Sequence, residues 1–150
     1  MAEISSLNYS IYTSENHAGI NRQEIIDFLY LHLDEYGDKK EDIAKCLEYA
    51  LSEAAGKGGA VLEARESGAV VGALILNNTG MSGYIPENIL VYVAVHGSQR
   101  GKGVGKRLVQ LATETVSGSI ALHVEPQNPA RYLYESLGFT NKYLEYRLQR

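Results

Sequence analysis

The stretch from Ile89 to Ala112 constrains this chain most. Seven consecutive apolar or aromatic residues, Ile89–Val95, run into His96-Gly-Ser-Gln-Arg-Gly-Lys-Gly-Val-Gly105, after which Val104, Leu108, Leu111 and Ala112 recur at i, i+4, i+7 and i+8. The β-branched run predicts a strand buried on both faces, and the recurrence predicts a helix stripe. Between them, four glycines (Gly97, Gly101, Gly103, Gly105) fall within nine residues. Such a loop turns sharply and lets main-chain N–H groups converge on a ligand without side-chain obstruction. The helix N-terminus adds unpaired N–H groups and the positive end of its dipole. Arg100, Lys102, Lys106 and Arg107 supply charge in the same stretch. Together these features describe a cradle for a pyrophosphate.

The charge is local, because the chain as a whole is acidic. It has 14 basic against 18 acidic residues, a formal net charge of −4. That balance argues weakly against a general nucleic-acid binder. With 150 residues, 45% apolar and 21% charged, the chain fits one globular domain able to bury its own core. No apolar run approaches the roughly 20 residues a membrane helix needs. The first ten residues, MAEISSLNYS, lack the basic start and apolar stretch of a secretion signal. A single cysteine, Cys46, can form no internal disulfide and has no partners for a zinc motif. His17, His32 and His96 show no ligand-like spacing, so no metal is expected. A reducing cytoplasm is the expected compartment.

Around the central unit the pattern alternates between strands and helices. Ser6–Thr13 alternates loosely and predicts a strand. Asn21-Arg-Gln-Glu24 has capping-box spacing ahead of an apolar stripe that ends near Gly37, and Asp38-Lys-Lys-Glu41 repeats the start signal for a second helix. The Glu/Lys pattern around residues 34–48 reads as a solvated helix face. Ala60–Arg65 and Ala69–Leu76, joined by Glu66-Ser67-Gly68, form a hairpin signal. Residues 77–88 read as a polar loop. Ser119–Glu125 alternates, with Ile120, Leu122 and Val124 on one face and Ala121, His123 and Glu125 on the other. Pro126 to Pro129 break it, Ala130, Leu133, Tyr134 and Leu137 form a short helix stripe, and Phe139–Leu148 predicts a last strand. The predicted order is β-α-α-β-β-β-α-β-α-β, an α+β domain with a mixed sheet flanked by helices.

Spacing decides among pyrophosphate ligands. A Walker loop needs G-x-x-x-x-G-K-[ST], but Gly105-Lys106 is followed by Arg107 and the first glycine position holds Arg100. A dinucleotide fingerprint would put its third glycine at Lys106, and it opens a βαβ series for which the 45 residues after Gly105 are too few. Those failures leave ATP and NAD as remote readings. The plain alternative is a glycine-rich turn whose cations are merely solvated.

A second segment points further. Arg100-Gly-Lys-Gly-Val-Gly105 fits R-x-x-G-x-G, and about 25 residues on comes Asn128-Pro-Ala-Arg-Tyr-Leu-Tyr-Glu-Ser-Leu-Gly-Phe139. The pair, each on its predicted element, resembles the GNAT superfamily of N-acetyltransferases, and the resemblance spans about residues 88–139. It implies that the ligand is acetyl-coenzyme A, with its pyrophosphate on the main chain of Gly101, Lys102, Gly103, Val104, Gly105 and Lys106 beside Arg100. It implies that the fourth and fifth strands splay apart and that the pantetheine arm pairs with Val93, Ala94 and Val95. Asn128 would contact the arm, and Tyr134 would lie near the thioester sulfur as general acid. The reaction would be direct transfer of acetyl to a primary amine, in a small molecule or a peptide.

The chemistry of that reaction sets what else must be present. The amine must lose a proton before it attacks, which calls for a base or a water relay. The departing thiolate needs a hydrogen-bond donor, and a tyrosine hydroxyl with a reference pKa of about 10 can serve. Many members of the family carry a glutamate on the fourth strand, but Ile89–Val95 offers no carboxylate. The candidate bases are therefore Glu87, just before that strand, and His123 and Glu125 on the fifth. The absent carboxylate keeps open a non-catalytic acyl-CoA-binding or regulatory module as the alternative. Tyr84, Tyr132, Tyr143 and Tyr146 could line an acceptor cleft or a homodimer interface, or belong to an ordinary tyrosine-rich core.

Overall fold

The computed structural model describes residues 7–150. Five strands form one sheet in the order β1-β2-β3-β4-β5: Leu7–Tyr12, Gly59–Glu66, Ala69–Asn78, Asn88–Val95 and Ile120–Leu122. The first four pair antiparallel, and β5 returns parallel to β4. A parallel neighbour requires a crossover, and helix α3, Val104–Thr115, supplies it. Helices α1, Arg22–Leu33, and α2, Lys40–Ala50, precede β2, and the short α4, Ala130–Ser136, follows β5. The mixed sheet with flanking helices is the expected architecture. Ser6, expected in β1, lies outside the described residues.

The sheet separates two apolar layers. On one face α1 and α2 pack Ile25, Leu29, Ile43 and Leu47 against Val61, Ala73, Ile75, Tyr92 and Ala94. On the other, α3 and α4 pack Val104, Leu108, Ala112 and Tyr134 against Leu62, Leu74, Leu76 and Leu90. Strands β2 and β3 are covered on both sides, which their unbroken apolar runs reflect. The turn between them uses Ser67 and Gly68, both at positive φ, as a tight two-residue hairpin requires. Glu63 is only 2% exposed on the α1 side. It accepts from the Tyr12 hydroxyl at 2.5 Å and from Arg65 Nε at 2.8 Å, and Arg65 also bonds Glu24 on α1. The buried carboxylate is thereby paired on both oxygens, as burial demands.

Five expectations change. Strand β4 is not covered on both faces: its burial alternates, with Leu90, Tyr92 and Ala94 inside and Val91, Val93 and Val95 exposed or half-buried. Neighbouring β5 spans three residues rather than seven, so among the described residues no strand pairs with that edge of β4 beyond Leu90, and Val93 and Val95 are only partly buried against the α3–α4 layer. The second helix begins at Lys40 with Lys39 in the capping position and no side-chain cap; Asp38, the expected cap, instead accepts from the Tyr92 hydroxyl at 2.5 Å. On α3 Val109 is buried and Leu111 only half-buried. The last strand, expected over Phe139–Leu148, does not form: residues 140–150 are exposed and carry no ladder. A strand needs a neighbour to hydrogen-bond to, and among the described residues none pairs with this segment.

Candidate active site

The site is an opening between two strands. Parallel pairing of β4 with β5 holds at Asn88↔Ile120, Ile89↔Ala121 and Leu90↔Leu122 and then stops. Beyond that point the β5-facing peptide groups of Val91 to Val95 have no strand beside them among the described residues. Pairing of β3 with β4 shifts between Ile75 and Leu76, whose partners are Tyr92 and Leu90, so Val91 is the extra residue of a bulge. A bulge twists and re-aims a strand, and this one sits where the two strands part. The expected splay of the fourth and fifth strands is thus present, with Val93, Ala94 and Val95 along its β4 side.

The glycine loop closes the C-terminal end of β4. One 3-10 turn, Gly97–Gln99, follows His96, and the buried Gln99 side chain donates to Glu66 at the β2–β3 hairpin at 3.1 Å. That contact anchors the loop to the sheet. Gly101 and Gly103 both have positive φ, 78° and 82°, and Gly103 caps α3 in the left-handed conformation. Space above both is open: a Cβ there would meet nothing within 4 Å. Lys102 N–H donates to Gln99 and Arg107 N–H to Gly103, whereas the N–H groups of Gly101, Gly103, Val104, Gly105 and Lys106 make no backbone hydrogen bond among the described residues. Five unpaired donors under open space at a positive helix end fit a phosphate group. Gly105 serves packing instead, since a Cβ there would touch Leu133 and Val95 at 3.4 Å. Arg100 is exposed and reaches back to the Val95 carbonyl at 3.5 Å.

Helix α4 sets Tyr134 against this opening. Its ring is 8% exposed, in the same apolar cluster as Val93, Val95 and Val104. Phe139 packs edge-on against it, with ring centroids 6.0 Å apart. No side-chain polar atom among the described residues is both fully buried and unpartnered, so the Tyr134 oxygen, which has no hydrogen-bond partner, keeps an opening to solvent. Burial alone pushes its pKa up to about 12. The hydroxyl is therefore held protonated and free to donate. Asn128 Oδ1 accepts from Ala130 N–H at 2.9 Å at the start of α4, which commits its carbonyl and leaves its amide N–H groups.

The candidate bases separate. Glu87 lies at the far end of β4 from the loop, about 26 Å from Val95 along an extended strand. Its carboxylate accepts from Ser119 N–H at 2.7 Å and Gly83 N–H at 3.0 Å, and these bonds hold its pKa below the usual carboxylate range. It ties two loops together and does not join Tyr134. His123 and Glu125 lie just past β5 and are exposed. Glu125 faces a feature that sequence reasoning missed, the 3-10 turn Asp34–Tyr36 after α1. The Tyr36 hydroxyl is held above its ordinary pKa by desolvation and by the charges of Glu35 and Glu125. The residues of that turn read only as a solvated face because the charge of Glu125 reaches Tyr36 across the fold, from far along the chain. Cys46 is no competitor as a nucleophile: burial pushes its thiol to about 12, and it bonds Asn77 at 3.3 Å. Among the described residues no cluster of His, Cys, Asp and Glu could hold a metal ion, and no helix is long and apolar enough to cross a membrane.

A mixed sheet whose fourth and fifth strands part beside a glycine loop and a helix N-terminus defines an acyltransferase-type fold. The chain belongs to the GNAT acetyltransferase family: the family model for the acetyltransferase (GNAT) domain matches residues 57–141, more than half of it. No curated protein sequence matches significantly. Solved structures share the fold at low identity. Ribosomal-protein-alanine N-acetyltransferase from Brucella melitensis is 20% identical, with 97% of this chain and 99% of that one covered at a TM-score of 0.64. Aminoglycoside N-acetyltransferase AAC(6')-Iy, solved in complex with CoA, is 18% identical, with 97% of each chain covered at 0.65. The apo aminoglycoside 6'-N-acetyltransferase AAC(6')-IG of Acinetobacter haemolyticus is 15% identical, with 95% and 98% covered at 0.66.

Proposed function

We propose that this chain is an acetyl-CoA-dependent N-acetyltransferase acting on a primary amine. The observation that carries the reading is the conjunction of the parted strands with an unpartnered, protonated Tyr134 hydroxyl. The unpaired N–H groups of Gly101 and Gly103 to Lys106, with Arg100 and Lys102, would take the pyrophosphate. The exposed edge at Val93 to Val95 would take the amide-bearing arm, and Asn128 N–H groups its carbonyls. The amine nitrogen bonds to the acetyl carbon, the carbon–sulfur bond breaks, and Tyr134 protonates the leaving sulfur. The proton shed by the amine passes to His123 or Glu125, directly or through water. A protonated amine would be drawn to this mouth by Glu35 and Glu125.

Thiol release from acetyl-CoA over a panel of peptide N-termini, lysine peptides, polyamines and amino sugars tests the reading. Tyr134→Phe should lower kcat by on the order of a hundredfold. Its melting temperature without ligand should stay at the wild-type value, because the hydroxyl has no partner to lose. Stabilisation by ATP or NAD but not CoA would overturn the assignment. Stabilisation by CoA with no turnover on any amine would favour the acyl-CoA-binding module, the reading supported by the absence of a carboxylate on the open face of β4.

A further inference from the structure

The loop that carries the unpaired N–H groups has one buried side chain. Gln99 is 3% exposed, while every other residue from 97 to 103 is exposed. Backbone turns close on the same residue: its N–H donates to His96 O at 2.9 Å, and its carbonyl accepts from Lys102 N–H at 3.2 Å. Its side-chain Nε2 donates to Glu66 Oε1 at 3.1 Å, 33 positions back in the chain. The loop's other side-chain hydrogen bonds among the described residues stay local, Ser98 N–H to His96 Nδ1 and Arg100 Nε to the Val95 carbonyl. Gln99 is thus where a side chain ties the loop to a distant part of the fold.

The far end of that tie is braced. Glu66 ends β2, where it pairs with Ala69 across the turn of Ser67 and Gly68. Arg65 beside it holds the turn: Nη1 donates to Gly68 O at 2.8 Å, while Nε and Nη2 reach Glu63 in the sheet and Glu24 on α1. The register shift at Ala64/Arg65 leaves Val71 as the extra residue of β3, and its carbonyl accepts from His96 N–H at 2.8 Å. The hairpin therefore grips the loop at two points, His96 through the main chain and Gln99 through its side chain. A methionine would fill the Gln99 site with no amide to desolvate, so stability alone does not call for glutamine there. What the amide adds is direction, because a hydrogen bond to a braced carboxylate specifies one arrangement of the loop.

We propose that Gln99 is a positioning residue for the pyrophosphate cradle, holding the loop through Glu66 so that its unpaired N–H groups stay turned toward the ligand. The inference rests on the assignment of that cradle to CoA. Gly97, Gly101, Gly103 and Gly105 give the loop a backbone freedom that ligand binding would otherwise have to freeze. Fixing the Gln99 side chain fixes its carbonyl, which takes the Lys102 N–H. Lys102 stands between Gly101 and Gly103, whose N–H groups make no backbone hydrogen bond among the described residues. Capture of the middle donor therefore orients the donors on either side of it. Order supplied by the fold before binding raises affinity without any new contact to the ligand, so Gln99 acts through the loop and not on CoA itself.

Calorimetric titration of the full chain with CoA tests this, with pantetheine as the probe that lacks the pyrophosphate. Gln99→Met keeps the buried volume and removes the amide, so it should weaken CoA about tenfold and leave pantetheine within about twofold of the wild type. Gln99→Glu sets two carboxylates together and should weaken CoA at least as much. Adding Glu66→Gln to it restores a donor and an acceptor in exchanged places and should recover most of the affinity. Without ligand, hydrogen exchange at the Lys102 amide should speed up in Gln99→Met and slow again in the exchanged pair. Unchanged CoA affinity in Gln99→Met would overturn the proposal. So would equal losses for CoA and pantetheine, which would mean a general loosening of the fold, or an exchanged pair no better than Gln99→Glu alone. A wild-type chain that binds no CoA would overturn the cradle assignment and the proposal with it, an outcome told apart from the others because it precedes any substitution.

Discussion

The Tyr92 hydroxyl donates to Asp38 Oδ2 at 2.5 Å, joining the strand that lines the opening to the segment between α1 and α2. Tyr92 is buried against the α1–α2 layer, while Asp38 is exposed. Burial first, then the Asp38 bond and charge, push the Tyr92 pKa well above its ordinary value. The contact ties the connection between α1 and α2 to β4.

Tyr92→Phe should cost about 1 kcal/mol of stability, the net value of one hydrogen bond whose acceptor can return to water. The sign with pH follows from linkage. A tyrosine whose folded pKa is raised contributes in full below its unfolded value near 10, and that contribution is lost as pH rises toward the folded one. Urea midpoints taken from neutral pH to pH 11 should therefore fall more steeply for the wild type than for the variant. Parallel curves would show that the hydroxyl does not titrate with unfolding.

How much of this was legible in the sequence depends on the range of the interactions involved. The glycine loop and the Asn128–Phe139 segment were readable because strand, turn and helix signals there are local, and Gly103 takes the left-handed conformation its residue type allows. The helix start at Asn21 was readable for the same reason, since its side chain accepts from Glu24 N–H at 3.1 Å. Asp38 was misread because Tyr92, 54 positions away, competes for the carboxylate that would have capped α2. Full cover of β4 was expected from its apolar run, yet Val91 is exposed and Val93 and Val95 are half-buried along the stretch where β5, three residues long, no longer pairs. Their incomplete burial is the mark of the opening itself. Glu87 looked like a base by proximity to β4, and only the fold shows its two oxygens committed to Ser119 and Gly83.

Gly103→Ala separates backbone strain from ligand contact. With φ at 82° and no atom within 4 Å of an added Cβ, the substitution meets strain and no clash. Left-handed backbone at a residue with a Cβ costs about 1–2 kcal/mol, so the unfolding free energy from urea titration should fall by that amount. The new methyl would also stand in the space where a phosphate is expected, so CoA affinity should drop by more than the strain alone explains. Gly97→Ala is the control, since its Cβ also meets nothing and its φ is not in the positive range. It should change the urea midpoint little. If Gly103→Ala bound CoA as tightly as the wild type, the cradle would lie elsewhere.

His32 gives the fold an acid limit close to the loop. Its ring sits 4.4 Å from Phe28 and 4.7 Å from His96, centroid to centroid. Burial first, then the charges of His96 and Arg100, hold its pKa below the ordinary value near 6.5. In the unfolded chain the imidazole takes up a proton as pH falls through about 6.5, while in the folded chain it resists until lower pH. The unfolded state then binds more protons, so stability is at its full value above that pH and declines below it. His32→Phe keeps a ring against Phe28 and removes the titrating group. Melting temperatures measured from pH 7.5 down to 5 should fall less for the variant than for the wild type. Equal slopes would mean that His32 protonates alike in both states, which its place between an aromatic ring, a second imidazole and a guanidinium opposes.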